Sequence, residues 1–245
     1  MIQYAAITDK GTLNENEDRV LVADIILDKG IAEGTAESCL LAVVCDGVGG
    51  EAFGAEAAEL TAYTISKLPQ IKTSNAAVDS VSKINDCILS AQIKDNAHSR
   101  MACTLAGISV FEENVVIFNV GDSKVYRFRA PYIAQLSVDH TYAKEAMQIG
   151  MISDKNQLTE QNQHRITRCI GEKVEWKPDI YEGQARQGDI FLLCSDGLSD
   201  VISEDELEKV LSKSASPETK CHQLLALATN LNSQDNISII VLEVL

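Results

Sequence analysis

The sequence predicts an α+β fold, with strands gathered in groups and helices gathered in pairs. A continuous apolar run of strand length lies at residues 39–45, as a strand buried on both faces requires, and largely apolar segments of strand length lie at 115–120, 190–194 and 237–244. Val78, Val81, Ile84, Ile88 and Ala91 form a stripe at helical spacing, directly after another helical segment. No regular strand–helix alternation runs through the chain, so a parallel βαβ sheet is not indicated.

Taken in order, residues 2–8 and 19–26 read as strands joined by the polar turn 9–18, and 28–38 as a loop of small residues. The strand 39–45 follows. Helices are expected over 55–68, ending before Pro69, and over 74–93. The period then switches. Residues 102–111, 115–120 and 124–128 read as an antiparallel meander, and 140–160 as two short helices broken at Gly150, followed by a polar stretch to His164. Strands return at 180–182 and 190–194. Two helices then start at a capping box, Ser203 with Glu206, and at Ser216-Pro217, before the closing strand. No repeat or linker divides the chain, which predicts one domain, 1–245, with a small insertion at about 140–168.

A net charge of −15 argues against a nucleic-acid or anionic-membrane partner, because phosphate surfaces demand a basic face. Seven cysteines, an odd number without metal-ligand spacing, read as reduced and mostly buried. No stretch has the length and apolarity of a membrane span and the first residues lack a cleavable leader pattern, so a cytoplasmic location is expected.

Four aspartates share one setting. Asp46, Asp122 and Asp196 each follow an apolar strand, and Asp235 stands just before one. Strand ends are rigid, so carboxylates placed there can converge; converging carboxylates repel unless a cation neutralises them, and all-oxygen ligand sets select hard divalent ions. Each aspartate alone reads as a turn former, and Asp-Gly is a common turn dipeptide. Together with Asn16-Glu17-Asp18 they read as a metal site. A rival motif, the G-x-G-x-x-A pattern from Gly47 to Ala52, is disfavoured for a dinucleotide: Asp46 would repel a pyrophosphate, and a second helix follows where a strand is needed.

The motifs Thr8-Asp9-Lys10-Gly11, Asn16-Glu17-Asp18, Asp46-Gly47-Val48-Gly49-Gly50, Gly121-Asp122-Ser123, Asp139-His140, Ile166-Thr167-Arg168 through Gly171, Ser195-Asp196-Gly197 and Asp235-Asn236 occur in that order. So arranged, the chain resembles the metal-dependent type 2C serine/threonine protein phosphatases in their compact bacterial form. The resemblance implies a four-layer α-β-β-α sandwich of two antiparallel sheets flanked by helix pairs. It also implies two Mg²⁺ or Mn²⁺ ions bridged by Asp46. Asp196 and Asp235 would complete one ion, and the Gly47 carbonyl the other, with Glu17 and Asp18 holding that second ion directly or through water. Asp122 with Asp196 resembles a third, weaker site.

On this resemblance the reaction is hydrolysis of phosphoserine or phosphothreonine by a water held between the ions, with Asp46, Asp196 and Asp235 catalytic through that water. No nucleophilic side chain is needed, so Ser195 and Cys194 read as structural. The implied partners are phosphoproteins made by a serine/threonine kinase, and a monomer is expected. Two departures stand out. Leu13 occupies the position where the family carries a phosphate-gripping arginine, and an apolar side chain cannot make that bidentate contact. Lys10 and Arg168 are candidates to replace it, and the substrate-binding residues are otherwise unassigned. Val48 stands where many eukaryotic members have histidine, which leaves a metal-held water as the acid.

Leu13 also supports the alternative reading, a catalytically weak or inactive phosphatase-fold binding module. A haloacid-dehalogenase-type enzyme is disfavoured because no D-x-D motif follows a strand. Of the histidines, His98, His164 and His222 read as solvated surface, whereas Asp139 and His140 read as fixing the base of a flap formed by 141–165.

Overall fold

A computed structural model of the chain describes residues 1–48, 53–94, 99–174 and 176–245. The glycine-rich turn beyond Val48, hence Gly49, Gly50 and the end of the G-x-G-x-x-A motif, lies outside the described residues, as does His98. Twelve strands form two six-stranded antiparallel sheets. The strands are β1 (Ile2–Asp9), β2 (Arg19–Val22), β3 (Ile25–Leu27), β4 (Gly30–Ala36), β5 (Cys39–Cys45), β6 (Leu105–Phe111), β7 (Asn114–Val120), β8 (Lys124–Arg129), β9 (Tyr132–Gln135), β10 (Asp179–Gln184), β11 (Ile190–Cys194) and β12 (Ile237–Val244). The first sheet has the order β4-β1-β12-β11-β8-β9 and the second β10-β7-β6-β5-β2-β3.

The continuous apolar runs are explained by burial on both faces. Successive side chains of a strand point to opposite faces. In β12, Ile240 and Leu242 join the core between the sheets, whereas Ile237, Ile239 and Val241 face outward into a second core. In β5, Leu40, Ala42 and Val44 face inward and Val43 and Cys45 outward. Helices cover both outer faces. On the second sheet lie α1 (Gly54–Ser66) and α2 (Ser74–Lys94), whose stripe residues Val81, Ile84 and Ile88 are buried there. On the first sheet lie α6 (Glu204–Leu211) and α7 (Pro217–Asn230), contributing Leu207, Val210, Leu211, Cys221 and Leu224. The result is the expected α-β-β-α sandwich.

Differences from the sequence reading fall at edges and in short elements. Residues 30–36, read as loop, form the edge strand β4, which pairs with β1 from Ile2↔Ala36 to Thr8↔Gly30. Its mostly exposed, mixed composition hides it from hydrophobic patterning. The segment 19–26 is a hairpin, β2 and β3, reversing at Ala23 with φ +52°. Strand β9 was not expected, nor was the single-turn helix α5 (Asp196–Ser199). Over 140–163 the chain forms α3 (Tyr142–Gln148), a 3₁₀ turn (Lys155–Gln157) and α4 (Glu160–Gln163). The described residues contain no disulfide, and the cysteines are mostly buried as expected, with Cys87 half-buried and Cys39 exposed at the start of β5.

Candidate metal centre

Strand register brings the acidic segments to one end of the two sheets. Cys45, just before Asp46, pairs with Arg19, just after Asp18. Cys194, two residues before Asp196, pairs with Ile239, and Ile237, two residues after Asp235, pairs with Asp9. Val120 pairs with Leu105 at the start of β6, and Lys124 pairs with Cys194, so Asp122 spans the gap between the sheets at that same end. Asp18 and Asp122 are buried, Glu17, Asp46 and Asp196 are half-buried, and Asp235 lies exposed.

Short polar side chains tie these ends together. Thr104 donates its N–H to the Asp46 carbonyl at 2.7 Å, and its hydroxyl accepts from the Asp46 N–H at 3.1 Å. The same hydroxyl meets Ser123 Oγ at 2.7 Å, joining the Asp46 turn to the Gly121-Asp122-Ser123 turn. Ser195 Oγ accepts from the Ser238 N–H at 3.0 Å and donates to the Asn236 carbonyl at 3.3 Å, a structural role as expected. Two glycines are required by close approach. A Cβ on Gly47 would lie 2.6 Å from the Gly54 carbonyl carbon and 2.9 Å from the Glu17 Cβ. One on Gly197 would lie 2.0 Å from the Asn236 carbonyl oxygen.

Electrostatics mark these acids as one unit. Burial and the charges of Asp18, Asp196, Asp122 and Asp235 hold the Asp46 carboxyl well above the usual carboxylate range. Burial, opposed by hydrogen bonds from Ser238 and Ser195, pushes Asp18 up to about 7. Burial and Asp196 push Asp122 up to about 8, against the pull of Lys124. Asp196 rises to about 6 through burial and the charges of Asp200 and Asp235. The neighbouring Asp46 carboxyl partly offsets that rise at Asp196. Glu17 is raised by burial, Asp235 and Glu15. Desolvation leads every one of these causes, with mutual repulsion adding to it.

Among the described residues, no group of three or more Asp, Glu, His or Cys side chains is drawn in closely enough to hold an ion as it stands. The acids stand as neighbours around the sheet ends rather than as a closed cage. Their chemistry nevertheless fits hard divalent cations. Asp18 Oδ2, Asp122 Oδ1 and Asp196 Oδ1 are buried without a hydrogen-bond partner, which is costly for carboxylate oxygens unless a cation satisfies them. All the donors are oxygens, the set preferred by Mg²⁺, Mn²⁺ and Ca²⁺ over softer metals.

Beside this centre, the insertion is anchored at its base. Thr141 bridges to Ile166, and the Tyr142 N–H donates to the Arg165 carbonyl at 2.8 Å. His140 is buried. Its Nδ1 accepts from the Gly121 N–H at 3.1 Å, so the ring proton sits on Nε2 and is shared with Asp179. Burial and the neighbouring Arg168 push its pKa below the usual histidine value. The Asp139-His140 pair therefore does sit at this base, with Asp139 paired to Lys124 at 3.5 Å. His164, read from sequence as free surface, is bonded through Nδ1 to Asp200 at 2.9 Å. A cavity of about 260 Å³, lined by Asp122, Lys124, Lys144, His164 and Asp200 among others, separates this segment from the sheet ends.

Of the candidate substitutes for the missing arginine, Arg168 is paired with Asp179 at 3.8 Å and Glu145 at 3.9 Å, its guanidinium lying beside the His140 ring. Lys10 is exposed, and its carbonyl accepts from Asn236 Nδ2 at 3.0 Å. Leu13 is 40% exposed at the tip of the arm between β1 and β2. Lys124, which sequence reading passed over, is a cation whose charge acts on Asp122 and Asp196, and its partners are the Asp122 carbonyl, Ser199 Oγ and Asp139. Its place two residues after Asp122 was the available signal.

The sequence profile described as Protein phosphatase 2C matches residues 28–233. The serine/threonine phosphatase stp of Listeria monocytogenes is 24% identical over 244 residues, covering 96% of this chain and 93% of its own. The crystal structure of serine/threonine phosphatase Stp1 from Staphylococcus aureus superposes with a TM-score of 0.88 at 26% identity, covering 100% of this chain and 96% of that one. The catalytic domain of the serine/threonine protein phosphatase PstP, solved in complex with two manganese ions, superposes at 0.78 and 25% identity, covering 99% of each chain. With that profile matching well over half of the chain, the chain belongs to the protein phosphatase 2C family.

Proposed function

We propose that this chain is a metal-dependent protein phosphatase that hydrolyses phosphoserine and phosphothreonine in protein substrates. One observation carries the reading: Asp18, Asp46, Asp122 and Asp196 are neighbouring acids whose charges raise one another's pKa, and Asp18 Oδ2, Asp122 Oδ1 and Asp196 Oδ1 are buried without a hydrogen-bond partner. Asp46, Asp196, Asp235, Glu17, Asp18 and the Gly47 carbonyl would hold two divalent ions, with Asp46 contributing to both. Asp122 with Asp196 is assigned to a third ion. Both Mg²⁺ and Mn²⁺ suit these oxygen donors, and the PstP domain carries manganese.

When bound, such ions supply an acidified water and positive charge for in-line phosphoryl transfer. The chain's own contribution is positional. The Thr104 and Ser195 hydrogen bonds hold the Asp46 and Asp196 turns rigid, so the donor oxygens need little reorganisation. Residues 140–168 act as a flap over the cavity beside Asp122, within a chain working as one domain over 1–245. Its partners are phosphoproteins made by a serine/threonine kinase. The protein acts as a monomer in the cytoplasm. Among the described residues no helix is long and apolar enough to cross a membrane.

A second reading, a weak or inactive binding module, is favoured by Leu13 alone. One assay separates the two. The enzyme hydrolyses an aryl phosphate and a phosphoserine peptide only with Mn²⁺ or Mg²⁺ present, and chelator or Asp46→Asn lowers the rate by at least about 100-fold. Binding of the ions without turnover would select the module instead.

A further inference from the structure

We infer that the side-chain amide of Asn236 is the clamp that positions the Glu17–Asp18 arm at the metal centre, an inference that rests on the proposed function. Residues 10–18 form no ladder hydrogen bonds with either sheet, yet they carry two of the assigned acids. Irregular backbone beside a carboxylate cluster needs partners for its own polar groups, and those partners decide how ordered the arm is before an ion arrives.

Asn236 supplies them. It is 3% exposed, and its amide is used to capacity within the arm. Nδ2 donates to the Lys10 carbonyl at 3.0 Å and to the Glu15 carbonyl at 3.0 Å, while Oδ1 accepts from the Glu17 N–H at 2.8 Å. Two carbonyls and one N–H admit only one orientation of the amide. The backbone of the same residue reaches the other acids. Its N–H donates to Asp235 Oδ1 at 2.7 Å, and its carbonyl accepts from Ser195 Oγ, beside Asp196, at 3.3 Å. One residue thus joins three acid-bearing segments that are remote in sequence. Asn16, bonded to Thr8 Oγ1 and the Asp28 carbonyl, and Arg19, bonded to the Asn16 and Asp18 carbonyls, hold only the end of the arm. Without the amide, the stretch from Lys10 to Glu15 would therefore have to be ordered when the ions bind, and affinity would fall by that entropy.

The test is Mn²⁺ binding by titration calorimetry on chelator-treated protein, comparing wild type with Asn236→Ala and Asn236→Ser. Serine can keep at most one of the three bonds, and it serves if alanine does not fold. Leu207→Ala, which opens a cavity under α6 on the far side of the first sheet, controls for general loss of stability. The expected result is binding weakened about 10- to 100-fold in the Asn236 variants, as for removal of a ligand's supporting hydrogen bond, with Leu207→Ala unchanged. Aryl-phosphate kcat should recover at high Mn²⁺ with KM near wild type. Wild-type Mn²⁺ affinity in a folded Asn236 variant overturns the inference while leaving the phosphatase reading intact. Wild type that binds no Mn²⁺ overturns both.

Discussion

At residue 197 a single methyl group cannot be accommodated. Gly197 follows Asp196 in a turn packed so closely on the Asn236 carbonyl that only glycine fits, and the obstacle is backbone rather than a movable side chain. Gly197→Ala should therefore cost about 1–3 kcal/mol, as overpacking a rigid site does. It should lower Tm by roughly 2–4 °C per kcal/mol for a chain of this size. Mn²⁺ affinity should fall with it, because the displaced carbonyl belongs to the residue beside Asp235. Thermal unfolding and calorimetry read both, and an unchanged Tm would show that the turn yields. Histidine chemistry is also decided at this scale. With Nδ1 accepting from the Gly121 N–H and Nε2 shared with Asp179, the His140 ring is neutral and ties residues 121 and 179 together.

Among the elements, the helices over the first sheet follow their sequence signals closely. Ser203 and Glu206 form the reciprocal capping box, and Ser216 Oγ accepts from the Thr219 N–H at 3.2 Å with Pro217 in the first turn. Removing that cap with Ser216→Ala should cost about 1 kcal/mol and leave phosphatase kinetics untouched, because α7 packs on the face of β12 opposite the inter-sheet core. A change in kcat would mean that α7 is coupled to the centre. Strands behave differently. Central strands such as β5, β11 and β12 were legible because burial on both faces leaves no polar alternation. β4 and β9, at sheet edges with mixed composition, carry no such pattern.

For the molecule as a whole, the coupled acids set the dependence of stability on pH. Their folded-state pKa values, about 6, 7 and 8 for Asp196, Asp18 and Asp122, lie above the ordinary 3.8. A raised carboxyl binds its proton more tightly in the folded state. Its contribution is complete below about pH 4 and is lost as pH rises through the folded values. Chelator-treated protein should therefore lose Tm between about pH 5 and pH 8 relative to the Mn²⁺-saturated form, since the cation binds the deprotonated folded state and restores what repulsion removes. Parallel melting curves at several pH values test this. A gap between the two forms that stays constant or narrows with pH would refute it.

Local chemistry alone determined the class of the fold, the paired helices and their caps, and the identity of the acidic turns, because periodicity, capping and Asp-Gly steps are written within a few neighbouring residues. Only the folded chain decided which acids become neighbours, since register between strands remote in sequence sets that, and no local pattern encodes it. The same holds for the polar supports at Thr104, Lys124 and Asn236. Each is an ordinary residue in sequence, and each acquires its role from a carbonyl, hydroxyl or carboxylate that another segment delivers.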